Sequence, residues 1–336
     1  MICYEATADD VSKVKFSPSP LGEAVYSFRM LASPERRKLH APWVSDVRAR
    51  LKGVDFGPLR AVVPPTGYVP DFLTPAPGAE PAGITEELEM VRSTAPEHFV
   101  DEVAWMAADT GTPAVWRVEA EPMHRRMLAE PGQAIRTVTK LLDVYWRLAL
   151  EPHWRRLHGG LRSDIRSRTR VLETSGTASV FSSLNRRIGW SEGRITVRSA
   201  YDFTEKLGGR GLVLVPSIFC GPEVLTMLPP LGSMIVYPRP DVSEIWSRQR
   251  LEHSSALASL MGSVRAAVIE ALVTPATTTE LATAIDVTPG AISQHVGVLR
   301  DCNLVLSRRA GRRVIHSLTE TGEALVLGSR PVAHAA

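Results

Sequence analysis

Twelve residues near the C-terminal end of this chain have types and spacing suited to one task, the reading of double-stranded DNA. Thr288-Pro289 offers a hydroxyl N-cap followed by proline at the first helical position, a strong helix start. In the helix that follows, Ile292, Val296 and Leu299 fall on an inner face. The outer face is Gly290, Ala291, Ser293, Gln294, Gly297 and Val298, small except for Gln294. Such a face can settle deep in a major groove, where Gln can pair bidentately with adenine and Ser with several base edges. A helix that only faced solvent would more often carry Glu and Lys there. His295 lies at the edge of the buried face and is expected to pack or touch phosphate, not to read a base.

The elements around that helix follow from the same kind of signal. Thr277 stands three residues before Glu280, a capping-box spacing that starts a shorter helix at Thr278. This helix offers Leu281 and Ile285 to a core and stops at Asp286. Two short helices joined by a tight turn, each with an apolar inner face, predict a helix-turn-helix. Before it, Leu257, Leu260, Val264, Val268 and Leu272 read as one apolar helical stripe. After it, residues 304–307 and 313–318 read as two strands flanking Arg308, Arg309, Gly311 and Arg312. The spacing predicts a β-hairpin with Arg308, Arg309, Arg312 and Arg313 at its tip, a clamp for phosphates or the minor groove. A last short helix is expected after Thr319.

Charge distribution agrees. The chain of 336 residues carries a formal net charge of only +3. From Val287 to Leu318 there are five Arg and one Asp, so the positive charge is concentrated in one short segment and the remainder is slightly negative. A local basic patch is the footprint expected for a polyanionic partner.

Taken as a set, Leu281-Ala282, the run from Thr288 to Val296, Leu299-Arg300, Leu304-Val305 and the run from Arg309 to Arg312 resemble the arsenic-repressor (ArsR/SmtB) family of winged-helix regulators. The likeness covers about a quarter of the chain. The N-terminal part is similar to a domain of unassigned function that precedes this module in long family members, on the stretches 65–75 and 208–217. The resemblance implies a homodimer and an inducible repressor with a small-molecule effector. The residues read above give the expected DNA contact set: Thr288, Gly290, Ala291, Ser293, Gln294, His295, Val298, Arg308, Arg309, Arg312 and Arg313. Two departures matter. The turn between the helices usually carries Gly, and here it is Asp286, which tolerates a left-handed backbone better than most residues. Metal-sensing members use paired cysteines at or near the second helix, and only Cys302 lies close here, so no metal is expected.

The larger N-terminal part, residues 1–240, reads as mainly helical with a few strands. A short strand is expected over 1–7 and helices over 20–31, 34–51, 84–92, 96–108 and 133–150, with a break or kink at Pro152 and a basic helix over 161–172. Pro64, Pro65, Pro70, Pro75, Pro77 and Pro81 forbid a regular helix over 62–83, but Tyr68, Val69, Phe72 and Leu73 make that stretch an ordered loop. Strands are expected over 194–198, 212–215 and 233–237. The expected fold class is thus mostly α with small β elements: a helical N-terminal domain with a few strands, and a winged helix-turn-helix over 245–330.

Other constellations fail on spacing. His153 and His158 are five apart, whereas metal pairs on one helical face are three or four apart. Gly208-Gly209-Arg210-Gly211 precedes a strand and lacks the Lys-Ser/Thr of a phosphate loop, so it reads as a turn. Tyr145, Trp146 and Trp154 read as core, and the arginines 162, 166, 168 and 170 as a solvated face. Three distant cysteines argue for a reducing compartment. The first ten residues have no signal-peptide pattern and no apolar run is long enough for a bilayer, so a soluble cytoplasmic protein is expected. With no catalytic constellation, no cofactor and no enzyme activity are expected. The expected function is a homodimeric, ligand-responsive transcription regulator, most simply a repressor. The alternatives are an enzyme with an accessory DNA-binding module, or a protein-interaction module.

Overall fold

Proline sets many of the helix starts. The computed structural model describes residues 1–78, 83–227, 232–246, 255–273, 275–310 and 313–328. Of these residues about 59% are helical and 15% lie in strands, so the class is mostly α with small β elements, as the sequence pattern expects. The chain divides into two compact units, Met1–Ile245 and Trp246–Ala336.

Unit 1 holds α1 (Ala8–Ser12), α2 (Pro20–Leu31), α3 (Pro34–Leu39), α4 (Ala41–Arg50), α5 (Gly57–Val62), α6 (Ile84–Arg92), α7 (Pro96–Ala108), α8 (Ala114–Ala129), α9 (Pro131–Tyr145) and α10 (Glu151–Leu184). A short α11 (Val242–Trp246) begins at its C-terminal end. In α2, Ser19 caps the backbone N–H of Gly22 and Pro20 occupies the first turn, where its missing N–H is no loss. The expected helix over 34–51 is in fact two, because the chain leaves helical geometry at His40, φ −109 and ψ 20. Pro152 does not break the chain's helical course. One π turn, Trp146–Leu150, joins α9 to α10, and Pro152 sits in the first turn of α10. The indole N–H of Trp43 donates to the carbonyl of Ala149 in that turn at 2.9 Å. Tyr145 is fully buried against Phe28 and Phe56, with ring centroids 5.1 and 5.9 Å away, and meets Ser27 Oγ through its hydroxyl at 3.0 Å. The residues expected as a basic helix over 161–172 lie inside α10, which is interrupted farther on by Gly176 at φ 77.

Two four-stranded sheets complete unit 1. The strands are β1 (Ile2–Glu5), β2 (Lys15–Phe16), β3 (Ile188–Ser191), β4 (Arg194–Val197), β5 (Phe203–Lys206), β6 (Val213–Ser217), β7 (Leu225–Met227) and β8 (Met234–Pro238). One sheet has the order β3-β4-β1-β5, with β1 antiparallel to β4 and parallel to β5. The other has the order β2-β6-β8-β7, with β6 parallel to both β2 and β8. Every residue of β6 is buried, which explains its unbroken apolar run. Side chains of both sheets, among them Tyr4, Ile195, Leu214 and Tyr237, share a core with Val180, Phe181 and Leu184 of α10. The stretch 62–83 contains a short 3-10 turn, Asp71–Leu73, that buries Phe72 and Leu73.

Unit 2 runs α12 (Ser255–Met261), α13 (Ser263–Ala271), β9 (Ala276–Thr277), α14 (Thr278–Ile285), α15 (Pro289–Asp301), β10 (Val305–Ala310), β11 (Arg313–Leu318) and α16 (Glu320–Gly328). The single stripe expected over Leu257 to Leu272 is two helices. Gly262, at φ 85, separates them, and Leu260 is 70% exposed while Leu257, Val268 and Leu272 are buried. The core gathers Ala266, Ile269, Leu281, Ile292, Val296, Leu299, Val305 and Val326. The sheet order is β10-β11-β9, all antiparallel.

Candidate nucleic-acid interface

The start of α14 is fixed by a reciprocal pair. The backbone N–H of Glu280 donates to Thr277 Oγ1 at 3.3 Å, and the backbone N–H of Thr277 donates to Glu280 Oε2 at 2.7 Å. The helix ends at Asp286, which is left-handed at φ 59 and ψ 49, with its N–H bonded to the carbonyl of Ala282. Two residues on, Thr288 caps α15 by accepting from the N–H of Ala291 at 3.3 Å. The reversal between the helices thus takes only Asp286, Val287 and Thr288, and it directs one face of α15 away from the core.

That outward face is bare. Gly290, Ser293, Gln294 and Val298 are exposed, and Ala291, His295 and Gly297 are half-buried. A methyl group added at Gly290 or Gly297 would meet nothing within 4 Å. Neither glycine has a positive φ. Nothing inside unit 2 therefore requires glycine at these positions, although at Gly297, in the helix interior, glycine costs roughly 0.5–1 kcal/mol relative to Ala. The hydroxyl of Ser293 turns back to the carbonyl of Pro289 at 3.0 Å, which leaves Gln294 as the long polar side chain on this face.

The arginines are arranged differently from the expected tip cluster. Arg308 and Arg309 lie within β10, opposite Ile315 and Val314 of β11, and Ala310 is opposite Arg313. Alternation along a strand puts neighbours on opposite faces. Arg308 and Arg313 therefore share one face of the sheet, and Arg309 lies on the other with Val305, Ser307 and His316. All three are exposed. Gly311 and Arg312 lie outside the described residues. Arg300, at the C-terminal end of α15, adds a further exposed positive charge.

Sequence reasoning missed two supports of this surface. The two-residue strand β9 precedes α14 and pairs with β11 through Thr277–Ile315 and Ala276–His316. It is too short to leave a periodic pattern. His316 is buried, with Nδ1 2.8 Å from Ser307 Oγ and Nε2 3.0 Å from Thr278 Oγ1. One side chain thereby ties β10, β11 and α14 together. Burial, then the nearby Arg300 charge, hold its pKa below the usual histidine value.

Elsewhere, His153 Nε2 meets Asp46 Oδ2 at 2.9 Å and His158 stacks on Trp154. Among the described residues no three His, Cys, Asp or Glu side chains gather in a way that could hold a metal ion. No described helix is long and apolar enough to cross a membrane.

Residues 114–239 match a family described as "Family of unknown function (DUF5937)". The matched stretch runs from α8 through β8 and lies wholly within unit 1. No curated protein and no solved structure matches the chain.

Proposed function

We propose that this protein is a sequence-specific DNA-binding transcription regulator in which residues 246–328 form a winged helix-turn-helix. In this reading α14 and α15 are the helix-turn-helix, α15 enters the major groove, and β10 with β11 forms the wing. The observation that carries it is the outward face of α15, where glycine occupies two positions that nothing in the unit constrains. A face kept small at a cost in helix stability fits close approach to a partner surface. Exposed arginines on the neighbouring strands supply charge for a phosphate backbone. Thr288, Gly290, Ala291, Ser293, Gln294, His295 and Val298 form the helix contribution, and Arg308, Arg309, Arg312 and Arg313 the wing contribution.

A single such unit covers little DNA, and two half-sites about 34–36 Å apart are the usual solution. The regulator acts as a homodimer, and its likeness to the arsenic-repressor type supports ligand-responsive repression from the cytoplasm. The test is capture of genomic fragments by the full-length protein, followed by sequencing. A shared palindrome is the expected result. Fragments with no common sequence, or none retained above a Gln294→Ala, Arg309→Ala control, overturn the reading.

A further inference from the structure

A cavity of about 510 Å³ opens in unit 1 between the loop that follows α5, helix α7 and the strands β5, β7 and β8. Its volume is in the range that accepts a drug-sized molecule. Tyr68 and Trp105 stack with ring centroids 5.2 Å apart and 22° between planes, and Phe203 lies 6.2 Å from Trp105. Trp105 and Phe203 are exposed for large aromatic side chains, at 49% and 37%. A wall of three rings facing open space has lost packing partners that a ligand would restore.

Carboxyls outnumber basic side chains in the lining, and of the carboxyls Glu205 is already paired with Arg210 at 3.0 Å. Asp71, Asp101, Glu102 and Glu205 line the cavity, His98 is the one basic residue of the described lining, and neither Lys nor Arg contributes. His98 is engaged, with Nε2 2.7 Å from Glu102 Oε1. Asp71 forms no ion pair among the described residues, and its polar neighbour is Tyr68, whose hydroxyl accepts the Asp71 backbone N–H at 3.3 Å. Burial, then the adjacent Glu102, push the Asp71 carboxyl well above the usual carboxylate range. A cation beside Asp71 would favour loss of that proton and become the carboxylate's partner.

The lining is held in place before any ligand arrives. Glu102 accepts the backbone N–H of Phe72 at 2.9 Å. Asp109 accepts the backbone N–H of Tyr68 at 2.7 Å and the hydroxyl of Tyr201 at 2.9 Å. Gly67 sits so close to Asp109 and Thr112 that a side chain there would collide with both. The aromatic wall and the carboxylate are therefore fixed relative to each other, which lowers the cost of ordering them on binding.

We propose that this cavity binds a lipophilic organic cation, an amine or quaternary ammonium carrying an aromatic ring, with Asp71 as its counter-ion and Tyr68, Trp105 and Phe203 as its aromatic wall. Rings attract cations through their faces, and a desolvated carboxylate fixes the position of the charge. The inference is independent of the DNA reading, because binding is measured without DNA.

The experiment is calorimetric titration of the full-length protein with tetraphenylphosphonium and with benzyltrimethylammonium, which differ in size. Tetraphenylborate, which has the shape of the first cation and the opposite charge, is the control. At least one cation is expected to bind at one site per chain, at least tenfold more tightly than tetraphenylborate. Asp71→Asn, checked for unchanged circular dichroism and melting temperature, is expected to weaken cation binding at least tenfold and to erase the preference for positive charge. Trp105→Ala, at a half-exposed position and checked for folding in the same way, is expected to weaken cation binding without erasing that preference. Absence of binding by both cations, equal or tighter binding of the anion, or an Asp71→Asn protein that still prefers the cation would overturn the proposal. A protein that binds the cation but captures no DNA retires only the regulator reading.

Discussion

Thr278 Oγ1 lies 3.0 Å from His316 Nε2, so the first turn of α14 is bonded to the central strand of the unit 2 sheet. The other ring nitrogen meets Ser307 Oγ at 2.8 Å. A neutral imidazole suits both contacts, since one nitrogen donates and the other accepts. The depressed pKa of His316 gives the sign of its pH dependence. Below the ordinary histidine value the unfolded chain binds a proton that the folded chain does not. Stability from this group is therefore present above roughly pH 6.5 and is lost as pH falls through the folded-state value. Protection factors of the α14 amides in the full-length protein, corrected for the intrinsic pH dependence of exchange, are expected to fall on acidification. His316→Gln should flatten that dependence, and His316→Ala should destabilise the unit by roughly 1–3 kcal/mol through unpaired hydroxyls and lost packing.

The left-handed backbone at Asp286 makes an opposite kind of prediction. A side chain in this region carries a steric cost of roughly 1–2 kcal/mol, less for Asp than for most residues. Asp286→Gly removes that cost but adds freedom to the unfolded chain. A net gain of roughly 0.5 kcal/mol is expected in thermal melts, and Asp286→Val should lose about 1–2 kcal/mol. A Gly variant less stable than the parent would show that the Asp carboxylate contributes more to the turn than the backbone strain removes.

Unit 1 buries two carboxyls at one helix. Glu23 of α2 accepts the N–H of Ile218 at 2.9 Å, and Glu87 of α6 accepts the N–H of Leu21 at 2.7 Å at the start of α2. Burial pushes each pKa up to about 8. The folded chain then holds two protons that the unfolded chain releases above its ordinary carboxyl range. Stability from these groups is present at low pH and declines as pH rises from about 4.5 to 8, at roughly 1.4 kcal/mol per pH unit for each group. The melting temperature of unit 1 should fall over that interval, and Glu23→Gln with Glu87→Gln should level the curve. A parent protein whose melting temperature rises from pH 5 to 8 would contradict this assignment.

On DNA, α15 and the arginines should separate by physics. Gly297→Ala should stabilise unit 2 by roughly 0.5–1 kcal/mol, because nothing opposes the added methyl and alanine favours the helix. The same change should weaken operator binding, and Gly297→Leu should weaken it further. Gln294→Ala should relax preference at one position per half-site, at a cost of about 1–3 kcal/mol on the correct sequence. Arg309→Ala should lower affinity for operator and random DNA alike and reduce the salt slope by about 0.9 per contact. Binding titrations at several salt concentrations read all of these. A Gly297→Leu protein that binds operator normally would mean that α15 does not enter a groove.

What the sequence made legible is what local chemistry determines alone. Thr277 with Glu280 and Thr288 with Pro289 fix helix starts through their own backbone neighbours, and both stand where their spacing implies. The same holds for Ser19 with Pro20. Gly262 lay inside an apolar stripe whose period continues on both sides, so the stripe alone could not reveal the break. Helix α8 escaped notice because Pro122 lies within it, a residue that reads as a helix breaker, and its apolar residues Val115 and Val118 face outward. The separation of Arg308 from Arg309 follows from the strand reaching Ala310, farther than the apolar alternation suggested. The cavity was beyond reach, because its wall joins Tyr68, Trp105 and Phe203 from three distant stretches.

The position of β1 has a consequence for how the molecule is made. It is an inner strand, yet its partners begin at Arg194 and Phe203, so Ile2 pairs with Val197 and Phe203 across nearly two hundred residues of intervening chain. During synthesis at roughly 5–20 residues per second, this strand waits on the order of ten to forty seconds for those partners. Through that interval Ile2 and Tyr4 have no sheet to enter, and the loop that must finally close is long. The β1 segment therefore stays without its sheet partners through that interval, and this sheet completes only after most of unit 1 has been translated.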